Sequence, residues 1–214
     1  MKLSLDSPVM EKAEGIADII IAGFLWLIFS IPIITIGPAS IALYYTVAKV
    51  CRRKRDTVWH AFLHAFKINL KQGIACTVIY LLYLGVIIFY FYITFENAGQ
   101  GNPMLLLAGI LLEVPFLFTL LYIFPVISRF GGSLGKMFQY AFHMSMRYFP
   151  VTILLLLLSG TVGVLIVLLP VCLALLPGIY AWLSSFLLEK ILKKYVIWNK
   201  EDTDSGEVPW YLEG

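Results

Sequence analysis

Ser30-Ile31-Pro32-Ile33-Ile34-Thr35-Ile36-Gly37-Pro38 is the stretch on which the fold of this 214-residue chain turns. It interrupts an apolar run from 8 to 53. Two prolines with a Gly-Pro pair break a helix, because the ring removes a backbone donor and clashes with the preceding turn. Proline fits best at the first helical position, so Pro38 is expected to open a new helix; Pro103 and Pro170 stand at the same place in later runs. The reading is two spans, 8–31 (Ser7 as N-cap, Pro8 first in the helix) and 38–53, joined by an outward turn. If the run were a single span, the chain would have five crossings and an outer N-terminus.

Beyond that stretch, the runs 73–95, 103–128, 150–169 and 170–190 are each long enough to cross about 30 Å of hydrocarbon. Hydrophobic residues make up 60% of the chain and charged ones 14%, and the mean hydropathy is +0.88. Soluble domains run near 45–50% apolar, so a soluble enzyme, a coiled coil and a disordered chain are excluded. Continuous rather than alternating apolar runs exclude a porin-like barrel. The expected fold is an all-α membrane protein of about six transmembrane helices. Residues 1–198 form a single polytopic domain, and 199–214 an acidic cytoplasmic tail carrying Glu201, Asp202, Asp204, Glu207 and Glu213. A basic n-region and a small-residue cleavage site are missing, so the first helix is expected to be retained. Cys51, Cys76 and Cys172 have neither disulfide-framework nor zinc-site spacing.

The charges orient the bundle. Lys49, Arg52, Arg53, Lys54, Arg55, Lys67 and Lys71 form one basic zone, Arg129, Lys136 and Arg147 a second, and Lys190, Lys193, Lys194 and Lys200 a third. The turns near Gly37, 95–102 and Pro170 carry no Lys or Arg. By the positive-inside rule the basic zones and both termini are cytoplasmic. Trp26, Tyr44, Tyr45, Trp59, Tyr148 and Trp198 read as interfacial belt residues. The net charge of +3 is explained by this placement, without a nucleic-acid partner.

Two segments are too polar to span. In 57–71, His60, His64, Lys67 and Lys71 form one helical stripe, with Trp59, Phe62, Leu63, Phe66 and Leu70 largely opposite. Such a pattern belongs to an amphipathic helix lying in the interface. Segment 133–147 repeats it at an offset of 76, pairing Phe62 with Phe138, Ala65 with Ala141 and Phe66 with Phe142. Upstream, Pro38 and Arg52 match Pro115 and Arg129 at an offset of 77. The pattern is that of a parallel internal repeat, with a third partial copy at Pro170 and Pro177. Phe62, Phe66, Lys67, Lys71, Phe138, Phe142 and Arg147 are the candidate contacts to a partner or to anionic lipid at the cytoplasmic face.

Chemistry is sparse. Glu113 lies near mid-depth of 103–128, where a carboxylate is expensive and is by default a functional candidate. The alternative is a protonated Glu113 bonded to the carbonyl freed by Pro115. His60 and His64 have the i, i+4 spacing of a metal pair, but Ala61 stands where a zincin needs Glu and no third ligand is near. Gly131-Gly132-Ser133 reads as a hinge and N-cap. No catalytic residue, metal or cofactor is expected, and an enzyme is disfavoured.

At Phe24-Leu-Trp-Leu-Ile-Phe-Ser-Ile-Pro-Ile-Ile-Thr-Ile-Gly-Pro-Ala-Ser-Ile-Ala-Leu-Tyr-Tyr45 the sequence resembles the bacterial YesL family of small membrane proteins. The likeness rests on Leu25, Trp26, Pro32, Thr35, Gly37, Pro38, Ala39, Ala42, Leu43, Tyr44 and Tyr45, then on Phe62, Phe66, Lys67, Asn69, Lys71 and Gln72. Gly23-Phe24 stand where the family often has Asn. The resemblance implies a bacterial plasma-membrane protein without established catalysis, often associated with carbohydrate ABC importers. It makes Pro32, Thr35, Gly37 and Pro38 a structural turn. The implied role is a non-enzymatic accessory subunit binding the importer's permease subunits. The alternatives are a small transporter or channel using Glu113, and a membrane scaffold or regulator with a cytoplasmic partner.

Overall fold

The computed structural model describes residues 8–52, 56–97 and 103–198, and every regular element among them is helical. In chain order these are α1 (Pro8–Phe29), α2 (Ile36–Thr46), α3 (Val58–Ile68), α4 (Leu70–Asn97), α5 (Pro103–Arg129), α6 (Leu134–Arg147), α7 (Phe149–Leu168) and α8 (Leu176–Trp198). Short 3-10 turns, Ile33–Thr35 and Pro170–Ala174, lead into α2 and α8, and a π-turn, Val47–Cys51, ends α2. Four stretches are long and apolar enough to cross a membrane: Ile33–Cys51, Leu70–Glu96, Pro103–Arg129 and Phe149–Leu168. The first is 61% buried and the other three only 11–17%, so α4, α5 and α7 present apolar sides outward. The tail 199–214 and the loop positions 53–55 lie outside the described residues.

The Pro-Gly-Pro stretch breaks the helix as expected. The Thr35 hydroxyl stands within hydrogen-bond distance of the Phe29 and Pro32 carbonyls (2.6 and 2.7 Å), satisfying the end of α1. Its position differs from expectation. The Gly37 N–H donates to the Thr77 hydroxyl at 2.9 Å, and Gly37 and Gly73 approach so closely that a Cβ on either would strike the other strand of backbone. One residue before Gly73 on α4, the Gln72 amide donates to the Gly132 carbonyl at 2.9 Å. The turn therefore sits at the same end of α4 as the Gly131–Gly132 hinge. A strict six-span alternation would set the two about 30 Å apart; small residues that let backbones meet draw them together instead.

The expected 170–190 span begins with a 3-10 turn before α8. The 57–71 segment is α3 joined to α4 through Asn69, whose side chain caps the Ala65 carbonyl at 2.9 Å. The expected polar stripe of α3 is exposed (His60, His64, Lys67), while Val58, Ala61, Phe62 and Ala65 are buried against α2. In α6, Met137, Ala141, Met144 and Ser145 are buried and Lys136, His143 and Arg147 exposed.

The repeat has a structural counterpart. α3 follows and packs against α2, and α6 follows and packs against α5. At the 76-residue offset, Ala61 and Ala65 match Met137 and Ala141, all four buried. Asp56 (φ 82°) and Gly132 (φ 137°), also 76 apart, are the two described residues with positive φ. Each is followed by an extended residue, Thr57 or Ser133, that opens the amphipathic helix.

Candidate functional site

The polar centre of the molecule joins α2, α5 and α8. Arg129, in the last turn of α5, places Nη2 2.6 Å and Nε 3.1 Å from Glu189 Oε1. The Tyr44 hydroxyl donates to the same oxygen at 3.3 Å, and the guanidinium lies 5.8 Å from the Tyr44 ring centroid. Both charged side chains are nearly fully buried, at 1% and 7% exposure. A carboxylate so far from water requires such a partner, since desolvation of a lone buried charge costs several kcal/mol. Tyr44, expected in an interfacial belt, is thus an interior residue.

Arg52, matched to Arg129 in the repeat, reaches the same helix one turn earlier. It donates to the Ser185 carbonyl at 2.7 Å and lies 4.6 Å from the Phe186 ring centroid. Ser185 and Glu189 share one face of α8 at i, i+4, so the two arginines clamp that face side by side. The π-turn at Val47–Cys51 widens the end of α2 immediately before Arg52, closed by the Arg52 N–H to the Val47 carbonyl at 3.2 Å. Sequence reasoning assigned Arg129 to a basic loop and passed over Glu189. The signal was present: an acid inside a predicted span, with an arginine at a repeat-matched position.

Glu113 is half-buried on α5. Its Oε2 is enclosed without a hydrogen-bond partner, and the neighbouring Tyr83 hydroxyl donates to the Leu112 carbonyl at 3.2 Å. The group beside the carboxyl is Tyr83, where the carbonyl freed by Pro115 was the alternative. Next to Glu113 an open groove of about 560 Å³ runs between α4, α5 and α6, walled by Leu112, Pro115, Phe116, Phe138 and Phe142. Two of the expected partner contacts, Phe138 and Phe142, line it. In the other aromatic pair, Phe62 has no exposed area and Phe66 is half-buried, and the Phe29 ring lies 5.5 Å from Phe62 and 4.9 Å from Phe66. Lys67, Lys71 and Arg147 are exposed. Pro32 is exposed in the turn, Thr35 bridges it, and Gly37 and Pro38 are buried. His60 pairs with Asp56 at 3.1 Å, and among the described residues no three His, Cys, Asp or Glu side chains converge as a metal site.

A family profile described as "Protein of unknown function, DUF624" matches residues 19–91. The chain is also 28% identical to the "Uncharacterized protein YesL" of Bacillus subtilis (strain 168), over 145 residues that make up 66% of this chain and 67% of that protein. The chain is YesL-like. No solved structure matches it. The profile match runs from α1 into α4, so this YesL-like chain carries the turn, Tyr44 and Arg52 inside the matched region. Glu113, Arg129 and Glu189 lie beyond it.

Proposed function

We propose that this membrane protein is a non-enzymatic accessory subunit of a bacterial carbohydrate ABC importer, seated in the plasma membrane against the permease subunits. The groove beside Glu113 carries the reading. It is walled by apolar and aromatic side chains on the outward side of α5 and α6, and it sets one enclosed carboxyl oxygen next to a helix-sized surface. A permease helix bearing a hydrogen-bond donor would fill the groove and, once the Glu113 side chain rotates toward it, satisfy that oxygen, a contact favoured within hydrocarbon. The importer itself enters from the YesL resemblance. Arg129 and Tyr44 both bond Glu189 across three helices, which suits a structural clamp better than catalysis.

The test is capture of the tagged full chain from native membranes of cells grown on inducing polysaccharide. Permease subunits should co-purify with the wild type and be lost with Phe142→Ala or Glu113→Leu. Recovery of the lone chain would remove this reading. A small transporter or channel is the second reading, favoured by the same enclosed Glu113 oxygen; unchanged flux in reconstituted Glu113→Gln vesicles would eliminate it.

Topology follows from the gathered charges. Lys67 and Lys71 flank the α4 end tied to Gly132, and Lys194 lies 6.0 Å from the Tyr148 ring centroid at the end of α6. This end is proposed to be cytoplasmic, with the C-terminus on that side and Cys172 on the other. An impermeant thiol reagent should label Cys172 in intact cells; labelling only after lysis reverses the orientation.

A further inference from the structure

A second polar feature lies where α6 and α8 converge at the start of α7. A cleft of about 390 Å³ is lined there by His143 and Arg147, one turn apart on α6, by Lys194 of α8, and by Tyr140, Tyr148 and Tyr195. Its volume falls within the range of small-molecule sites. Cations and rings alternate around it: Lys194 stands over Tyr148, His143 meets Tyr195 edge-on at 6.3 Å, and Tyr148 meets Tyr195 at 6.4 Å.

What sets this cluster apart is its convergence on one concave site with no carboxylate partner among the described residues. Lys49 has Asp56 at 2.9 Å and Arg129 has Glu189 at 2.6 Å. No acid lines the cleft, and among the described residues His143, Arg147 and Lys194 form no ion pair with a carboxylate. Like charges held around a concave site favour an anion from outside. A tetrahedral phosphate suits the donors: a guanidinium fork, an ammonium point charge and tyrosine hydroxyls. Beside Arg147 run the exposed apolar side chains Met146 on α6 and Phe149 at the start of α7. Acyl chains attached to such a phosphate would have an apolar track to follow.

We propose that this cleft binds a phosphate group, carried either on an anionic phospholipid or on soluble phosphate. The proposal is independent of the importer reading, because the cleft involves neither the groove nor Glu113. The purified full chain would be titrated in detergent with phosphatidylglycerol, with phosphatidylcholine as control, by native mass spectrometry. A parallel arm would follow thermal stabilisation by inorganic phosphate against chloride. One phosphate-bearing ligand should saturate per chain. Phosphatidylglycerol alone doing so identifies the lipid source, and stabilisation by inorganic phosphate identifies the soluble one.

Arg147→Gln combined with Lys194→Gln should weaken binding by about tenfold or more, from the loss of two cations near the ligand. Lys194→Glu, at an exposed position that folding tolerates, should abolish it, while Lys136→Gln, outside the cleft, should leave it unchanged. Binding of neither ligand above its control overturns the proposal. So does wild-type affinity in Lys194→Glu.

Discussion

The α2–α3 and α5–α6 pairs begin from matching sequence and end in different environments. In the first, Phe29 of α1 lies across α3, and Phe62 and Phe66 are drawn into a packed cluster. In the second, Phe138 has Tyr80 of α4 at 6.0 Å, and Phe142 remains 46% exposed beside an open groove. The alanines at the helix contacts are buried in both. The difference is the helix that covers them: α1 seals the first, and among the described residues nothing equivalent closes the second. The arginines diverge in the same manner, Arg52 onto a backbone carbonyl and Arg129 onto a carboxylate. Two segments that align at one offset can therefore be buried structure in one place and an available surface in the other.

Removing the arginines one at a time should expose that divergence most strongly. Arg129→Met leaves Glu189 buried without its ion-pair partner and should cost about 3–5 kcal/mol. Arg52→Met gives up one charge-assisted bond and a ring contact and should cost about 1–3 kcal/mol. Arg129→Met with Glu189→Leu should recover most of the loss, because no charge then remains unpaired. Thermal unfolding in detergent measures all three. Equal costs for the two single variants would mean that the carboxylate does not distinguish the copies.

The aromatic pair comes next. Phe62→Ala opens a cavity in a sealed cluster and should cost about 3–4 kcal/mol, whereas Phe142→Ala on the open face should stay within about 0.5 kcal/mol. The order reverses for permease capture, where only Phe142→Ala should show a deficit. A stability loss at Phe142 as large as that at Phe62 would mean that the second face is closed as well.

The helical class and the break at Pro32–Pro38 were legible because proline geometry and apolar run length act locally. Where the turn sits was not. Reading the helices as alternating crossings put Gly37 far from Gly73, and only packing shows that two glycines permit their backbones to touch. The periodicity of 57–71 correctly separated exposed His60, His64 and Lys67 from buried Phe62. It could not show that α1 covers Phe62, since that contact spans 33 residues of chain, from 29 to 62. Trp59, assigned to the apolar side, is 58% exposed. Glu189 was overlooked because it stands beside Lys190 near the end of a span, where a charge passes for interfacial. Its burial depends on Arg129, 60 residues away.

The smallest expected contrast concerns the two positive-φ residues that precede α3 and α6. Gly132→Ala places a Cβ in a conformation that L residues avoid, and its nearest neighbour, the Met137 methyl at 3.4 Å, is an ordinary contact. The cost is therefore backbone strain of about 1–3 kcal/mol and should not depend on pH. Asp56→Gly relieves the backbone at the matched position but loses the carboxylate. The bond from Lys49 and then that from His60 hold this carboxyl below the usual aspartate range, with the Thr57 N–H adding to them. A depressed folded-state pKa means that the stabilisation is fully present above the ordinary value of about 3.9 and fades as pH falls below it. Exposure of the side chain screens the gain, so it should be less than that at Gly132. Melting temperatures followed from pH 7 to pH 3 should show the gap between wild type and Asp56→Gly beginning to narrow below about pH 4, while the Gly132→Ala deficit persists. A gap for Asp56→Gly that stays constant across this range would assign Asp56 a purely conformational role and make the two helix openings equivalent.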